Sequence, residues 1–317
     1  MQQDTNTTPK NPRIVSIDAL RGFDMFWIMG ADTLAAKLVA LVPASLAGFS
    51  TAWIAGLSDQ FEHAEWEGFR FYDLIFPLFL FLVGCSIPLS LGKLDQDKRR
   101  MHWRILRRTV LLVLMGLLYN GIQNFDWGQL RWMGVLQRIG IGYGIAALLT
   151  VHLSTRGLMV VWLAILLGYW GILSWVPVPG GIAGDLSPAG NLSGYLDRSL
   201  LPGKILEKYY GYGDNEGLLS TIPAVATVLL GVGAGRWLQG TASHLQKASG
   251  LMAIGANAIT IYLLQRIVPF SSISKFFFQG IANLAGDHGA ILLLAGALAC
   301  KCLLLAWLYN KRIFLRL

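Results

Sequence analysis

Residues 61–91 read FEHAEWEGFRFYDLIFPLFLFLVGCSIPLSL. The first half is polar and aromatic, with His63 among Glu62, Glu65 and Glu67. The second half is an apolar run of about 20 residues, long enough to cross a bilayer at about 1.5 Å per residue. Asp73 lies just inside the start of that run, and Pro77 follows one turn later. An imidazole at the mouth of a membrane helix, with a carboxylate just below it, points to chemistry at a membrane face.

The remaining sequence agrees with a membrane fold. Of 317 residues, 54% are hydrophobic and only 14% charged, with a mean hydropathy of +0.52. Soluble domains carry roughly 25% charged residues, so this composition is that of an integral membrane protein. The expected fold is an all-α polytopic membrane protein, a single bundle of about eight transmembrane helices. Besides the apolar half of 61–91, the spans fall at 14–42, 105–121, 132–151, 158–175, 217–238, 251–268 and 290–309. Residues 1–13 read as a disordered cytoplasmic tail, and 14–317 as one transmembrane domain. The first apolar run holds Asp18, Arg21, Asp24 and Asp32, which a cleaved signal peptide would not tolerate, so it reads as a retained helix. Between the last two spans, SSISKFFFQGIANLAG reads as a short amphipathic helix.

The net charge of +8 is sorted by side rather than gathered for nucleic acid. With the N-terminus inside, the inner segments hold Lys10, Arg13, Lys93, Lys98, Arg99, Arg100, Arg104, Arg107, Arg108, Arg156, Arg236, Lys247, Lys311, Arg312 and Arg316. The outer segments hold only Arg70, Arg131, Arg198, Lys204, Lys208 and Lys275. Both termini are therefore expected in the cytoplasm, and His63 on the far side. Cys85, Cys300 and Cys302 all sit in apolar runs, so no disulfide framework is expected.

Charges inside a span face a bundle interior or a wet cavity. Asp18, Arg21 and Asp24 recur every third residue and can pair on one face, as a structural ion pair of Asp18 with Arg21 or as part of a site. His102, His152 and His244 sit in basic segments and read as solvated. His63 stands apart through its three nearby carboxylates, which favour the cation. No metal-ligand spacing, P-loop or GxSxG elbow is present. GIGYG (140–144) and GVGAG (231–235) fit close helix packing better than phosphate loops. Asp214 and Glu216 precede a span and suit its positive end, while Pro223 within it predicts a kink.

Six segments, taken together, resemble a known family. They are SIDALRGFDMFWIM (16–29), EHAEWEGFRFYDLIFPLFLFLVG (62–84), GVLQRIGIGY (134–143), GYLDRSLLPG (194–203), DNEGLLSTIPAVATVLLGVGAG (214–235) and ANAITIYLLQR (256–266). In that order they resemble the heparan-α-glucosaminide N-acetyltransferase-like transmembrane acyltransferases, their bacterial relatives above all. The resemblance implies transfer of an acetyl group from cytoplasmic acetyl-CoA to the amine of an amino sugar at the far face of a bacterial inner membrane. It places the active-site histidine at His63, within H-x-x-W-x-G. Asp73 is the first candidate to orient it and Asp32 the second, since this chain reads GAD where the lysosomal enzyme has an asparagine. Trp66, Asp214, Glu216 and Asn257 are taken as acceptor contacts. Arg104, Arg107 and Arg108, with Gln137 and Arg138, are taken to hold the acetyl-CoA, although lipid headgroups would suit the basic cluster equally. The family also carries two further helices after the segment matching GVGAG; here GRWLQGTASHLQKAS runs directly into the next span.

The expected partners are thus the bilayer and an amino sugar, with no metal and no nucleic acid, and a homodimer is allowed. His63 would act as base or as covalent acyl carrier. The competing readings are an amino-sugar permease and an inactive relative.

Overall fold

The computed structural model describes residues 15–41, 51–66, 68–91, 97–205, 212–240 and 268–311. The expected tail, the span at 251–268 and Asn257 lie outside them. The described residues are helical and contain no strand, with one isolated bridge between Arg131 and Gly203. Among the described residues, five helices are long and apolar enough to cross a membrane: Phe71–Leu91, Val135–His152, Thr155–Trp175, Thr221–Leu238 and Gly289–Asn310.

The first span is not one continuous helix. It runs as α1 (Val15–Phe26), a π segment (Trp27–Ala31) and α2 (Asp32–Ala40). The break falls at Gly30, whose φ of 115° a side chain would oppose. Lys301 closes the opening by donating Nζ to the Met29 carbonyl (2.5 Å). A short helix, α3 (Thr51–Asp59), then precedes the His63 loop, and a 3-10 turn (Phe71–Leu74) leads into α4 (Ile75–Leu91). α5 (Lys98–Tyr119) begins seven residues before the expected 105, because Asp97 caps it through the Arg100 amide. Lys98, Arg99, Arg100 and Arg104 therefore lie on the same helix as Arg107 and Arg108.

α6 (Val135–His152) packs along α5, α7 (Thr155–Trp175) follows it after a short turn, and α8 (Leu192–Leu200) interrupts the long loop after them. α9 (Thr221–Gly240) carries Pro223 in its first turn, where no intrahelical N–H is lost, so the expected kink does not form. α10 (Phe270–Leu284) packs back on α11 (Gly289–Asn310), Ser274 donating to the Leu293 carbonyl (2.6 Å).

α4 crosses α9 at the centre of the bundle, and glycines permit it. A Cβ on Gly84 would stand 2.0 Å from the Val228 carbonyl oxygen, and one on Gly231 2.0 Å from that of Phe81. Gly140 and Gly144 play the same part between α6 and α5. Both glycine runs serve helix packing, as small residues do inside membranes.

Candidate active site

The helices leave charged side chains at two levels, here called the His63 end and the Arg108 end. At the His63 end, His63 Nδ1 donates to Asp73 Oδ1 at 2.8 Å. Asp73 Oδ2 accepts the Arg70 amide (3.1 Å) and the Ala64 amide (3.5 Å), and Arg70 Nη1 donates to the His63 carbonyl (2.9 Å). Asp73 is thus fixed by the backbone of the loop that it anchors. With Nδ1 as donor, the lone pair of the ring lies on Nε2. The two side chains are 41% and 28% exposed, open enough for a substrate to reach. Below them Trp27 stacks on Phe61 (centroids 5.4 Å apart) and meets Phe71 edge-on, so the loop rests on an aromatic floor. Trp66 Nε1 donates to the Leu186 carbonyl (2.9 Å), tying this loop to the one after α7.

Asp214 and Glu216 are gathered beside α6. Arg131 Nε donates to Asp214 (2.8 Å), and its Nη2 bridges Asp214 and Glu216. Burial alone would lower the Arg131 pKa; the hydrogen bonds and charges of the two carboxylates outweigh it and hold the cation above its ordinary range. Asp197 of α8 accepts the Leu218 amide (2.8 Å) and the Asp214 amide (3.2 Å). Burial pushes its carboxyl up, against the pull of those two bonds.

At the Arg108 end, Arg21 donates to Ser86 Oγ (2.6 Å) and stands 3.7 Å from Asp18. Arg108 lies over the Tyr143 ring at 4.9 Å, within electrostatic range of Arg21. Asp24 does not join them. It is fully buried, and neither oxygen has a hydrogen-bond partner among the described residues. Three-residue spacing drifts by about 60° per step on a helix, so Asp18 and Asp24 end on different faces. Arg138 and Gln137 sit in the first turn of α6, Arg138 bonded to Ser220 Oγ. The bundle therefore separates them from Arg104, Arg107 and Arg108. Asp32 contacts Thr33 and lies in electrostatic range of Lys301.

Sequence reasoning missed the hold of Arg131 on Asp214 and Glu216, and also a histidine pair. His102 and His152 meet Nε2 to Nε2 at 2.9 Å. The register of α5 against α6 that sets Gly116 against Gln137 and Gly144 against Thr109 continues to this pair, which was the available signal.

Residues 13–127 match a family model described as "Domain of unknown function (DUF5009)". The chain is 29% identical over 276 residues to heparan-alpha-glucosaminide N-acetyltransferase of Homo sapiens, covering 72% of this chain and 39% of that protein. Against the Mus musculus protein of the same name, identity is 31% over 228 residues, covering 56% of this chain and 35% of the relative. This chain is similar to the heparan-alpha-glucosaminide N-acetyltransferases. It spans about two fifths of the length of the curated relatives it matches. The His63–Asp73 pair, Arg21 and Arg108 all fall inside the DUF5009 match; Arg131 and Arg138 lie beyond it.

Proposed function

We propose that this protein is an acetyl-CoA-dependent N-acetyltransferase of the bacterial inner membrane, acting on the amine of a glucosamine-like sugar. One observation carries the reading: a reachable imidazole is held by a carboxylate at 2.8 Å, in a relative of N-acetyltransferases. Nε2 takes the proton that the ammonium group of the acceptor must lose before its nitrogen attacks the thioester carbonyl. In the alternative route Nε2 first attacks the thioester, CoA leaves as the thiolate, and the acetyl group passes from the ring to the amine. Asp73 orients the imidazole and stabilises its cation in either route.

Acetyl-CoA phosphates suit the Arg108 end, where Arg21 and Arg108 with Arg104 and Arg107 outnumber Asp18. Asp73 and Ser86 are thirteen residues apart on one helical run, about 20 Å, so the two substrates approach from opposite ends. Asp214 and Glu216, both held by Arg131, support the acceptor side as a scaffold. Orientation in the membrane follows the loop charges, with both termini cytoplasmic. In a Cys-free background, a cysteine at position 63 then labels from the far side and one at position 99 from the cytoplasm; the reverse pattern overturns the orientation.

Purified protein incubated with labelled acetyl-CoA and a panel of amino sugars tests the activity. Label on a sugar supports it; label on none overturns it. The broken first span, with Lys301 at its opening, favours a permease as the second reading. That reading requires proteoliposomes to accumulate unmodified glucosamine without acetyl-CoA.

A further inference from the structure

A cleft of about 330 Å³ lies between α6, α7 and α9. Ile141, Ile145, Ile165, Leu218, Ile222 and Val225 line it, with Thr221 as the one polar side chain. Leu218, Ile222 and Ile145 are 36%, 40% and 43% exposed, so the slot opens sideways onto the surface that a bilayer covers. An apolar slot facing acyl chains accepts hydrocarbon of any kind, and its selectivity must come from its head.

Arg138 flanks the cleft, lying in the chain between Met133 and Ile141, which both line it. It shares one face of α6 with Ile141 and Ile145 through the i, i+3, i+7 spacing. It is only 8% exposed, and its Nη2 donates to Ser220, the neighbour of Thr221. Glu216, Asp214, Tyr169 (one turn from Ile165 on α7) and Asp197 all lie in electrostatic range of it. Asp214 and Glu216 are already held by Arg131. Among the described residues Arg138 has no carboxylate at ion-pair distance, and its Nε has no hydrogen-bond partner. A buried guanidinium with donors to spare fits an anion rich in oxygen, a phosphate best of all. On its other flank Arg138 lies over the Phe76 ring at 5.9 Å, and Phe76 is three residues past Asp73.

We propose that this cleft holds the hydrocarbon chain of a lipid-linked acceptor, with its phosphate at Arg138 and its amino sugar presented to His63 from within the membrane. The proposal rests on the acetyltransferase reading for its last step. Continuity with the His63 loop through Phe76 favours the acceptor over a bulk phospholipid, which carries no sugar amine.

The test uses the full chain in nanodiscs of zwitterionic lipid, titrated with decyl phosphate, decanol and inorganic phosphate. Decyl phosphate should bind at least about tenfold tighter than either of the others, and Arg138→Gln should remove its advantage over decanol. Ile145→Trp and Ile222→Trp each fill the slot from its open side, and should weaken decyl phosphate at least about tenfold, the worth of two buried methylenes. Equal binding of decyl phosphate and decanol, or indifference to both tryptophans in folded protein, overturns the cleft. Displacement of decyl phosphate by an equal concentration of phosphatidylglycerol makes it a lipid site and overturns the acceptor assignment. In turnover, decyl glucosaminide should exceed free glucosamine in kcat/KM by at least about tenfold, an advantage lost in Ile222→Trp. Equal kcat/KM for the two overturns the assignment. If neither sugar is acetylated, the acetyltransferase reading fails, while the titration still decides the cleft.

Discussion

The two ends of the bundle handle charge in opposite ways. At the His63 end three carboxylates have fixed partners: Asp73 holds His63 and two backbone amides, and Asp214 and Glu216 share Arg131. At the Arg108 end Arg21 and Arg108 stand in mutual range, with Asp18 alone at 3.7 Å between them and neutrality. A closed set of ion pairs positions groups, whereas an excess of cations is poised to receive an anion. Under the proposed function, the contrast suits one end to positioning groups and the other to the phosphates of acetyl-CoA.

Breaking the closed set should have the largest effect. Arg131→Ala strands two carboxylates, Asp214 with a side chain only 1% exposed, and should cost about 3–5 kcal/mol in detergent-solubilised protein. A cost near zero would dissolve the distinction between the ends. The crossing that holds both ends in one frame comes next. Gly231→Ala forces α4 and α9 apart and should cost about 1–3 kcal/mol. Gly233→Ala, with nothing within 4 Å of its Cβ, should leave the melting midpoint unchanged or raised. The smallest effect belongs to the open end: Asp18→Asn should cost less than about 1 kcal/mol, because the 3.7 Å pair is partly exposed. Arg21→Gln should instead weaken acetyl-CoA binding at the same stability; an unchanged affinity would move the phosphates elsewhere.

The positions of several spans and the packing role of the glycine runs were legible because hydrophobic length and small-residue spacing are local properties. The His63–Asp73 pair was legible for the same reason, ten residues apart around one loop. The partners of Asp214 and Glu216 were not, since Arg131 is more than eighty residues away and only the fold brings them together. Helix 1 misled through its three-residue charge spacing, which suggests one face but rotates Asp24 off it. Its break was hidden as well: Gly30 looks like any small residue in a span until its φ of 115° is known.

Replacing His63 tests the catalytic role of this end of the bundle directly. His63→Ala should keep the melting midpoint and the acetyl-CoA affinity of the parent, because the loop is fixed by Asp73, Arg70 and the aromatic floor. Acetyl transfer to glucosamine should fall by at least about 10²-fold. Given acetyl-CoA alone, the parent accumulates one labelled acetyl per chain if the imidazole is the carrier and none if it is the base, whereas the variant accumulates none by either route. Undiminished transfer by His63→Ala would contradict the assignment of this end of the bundle as the catalytic one.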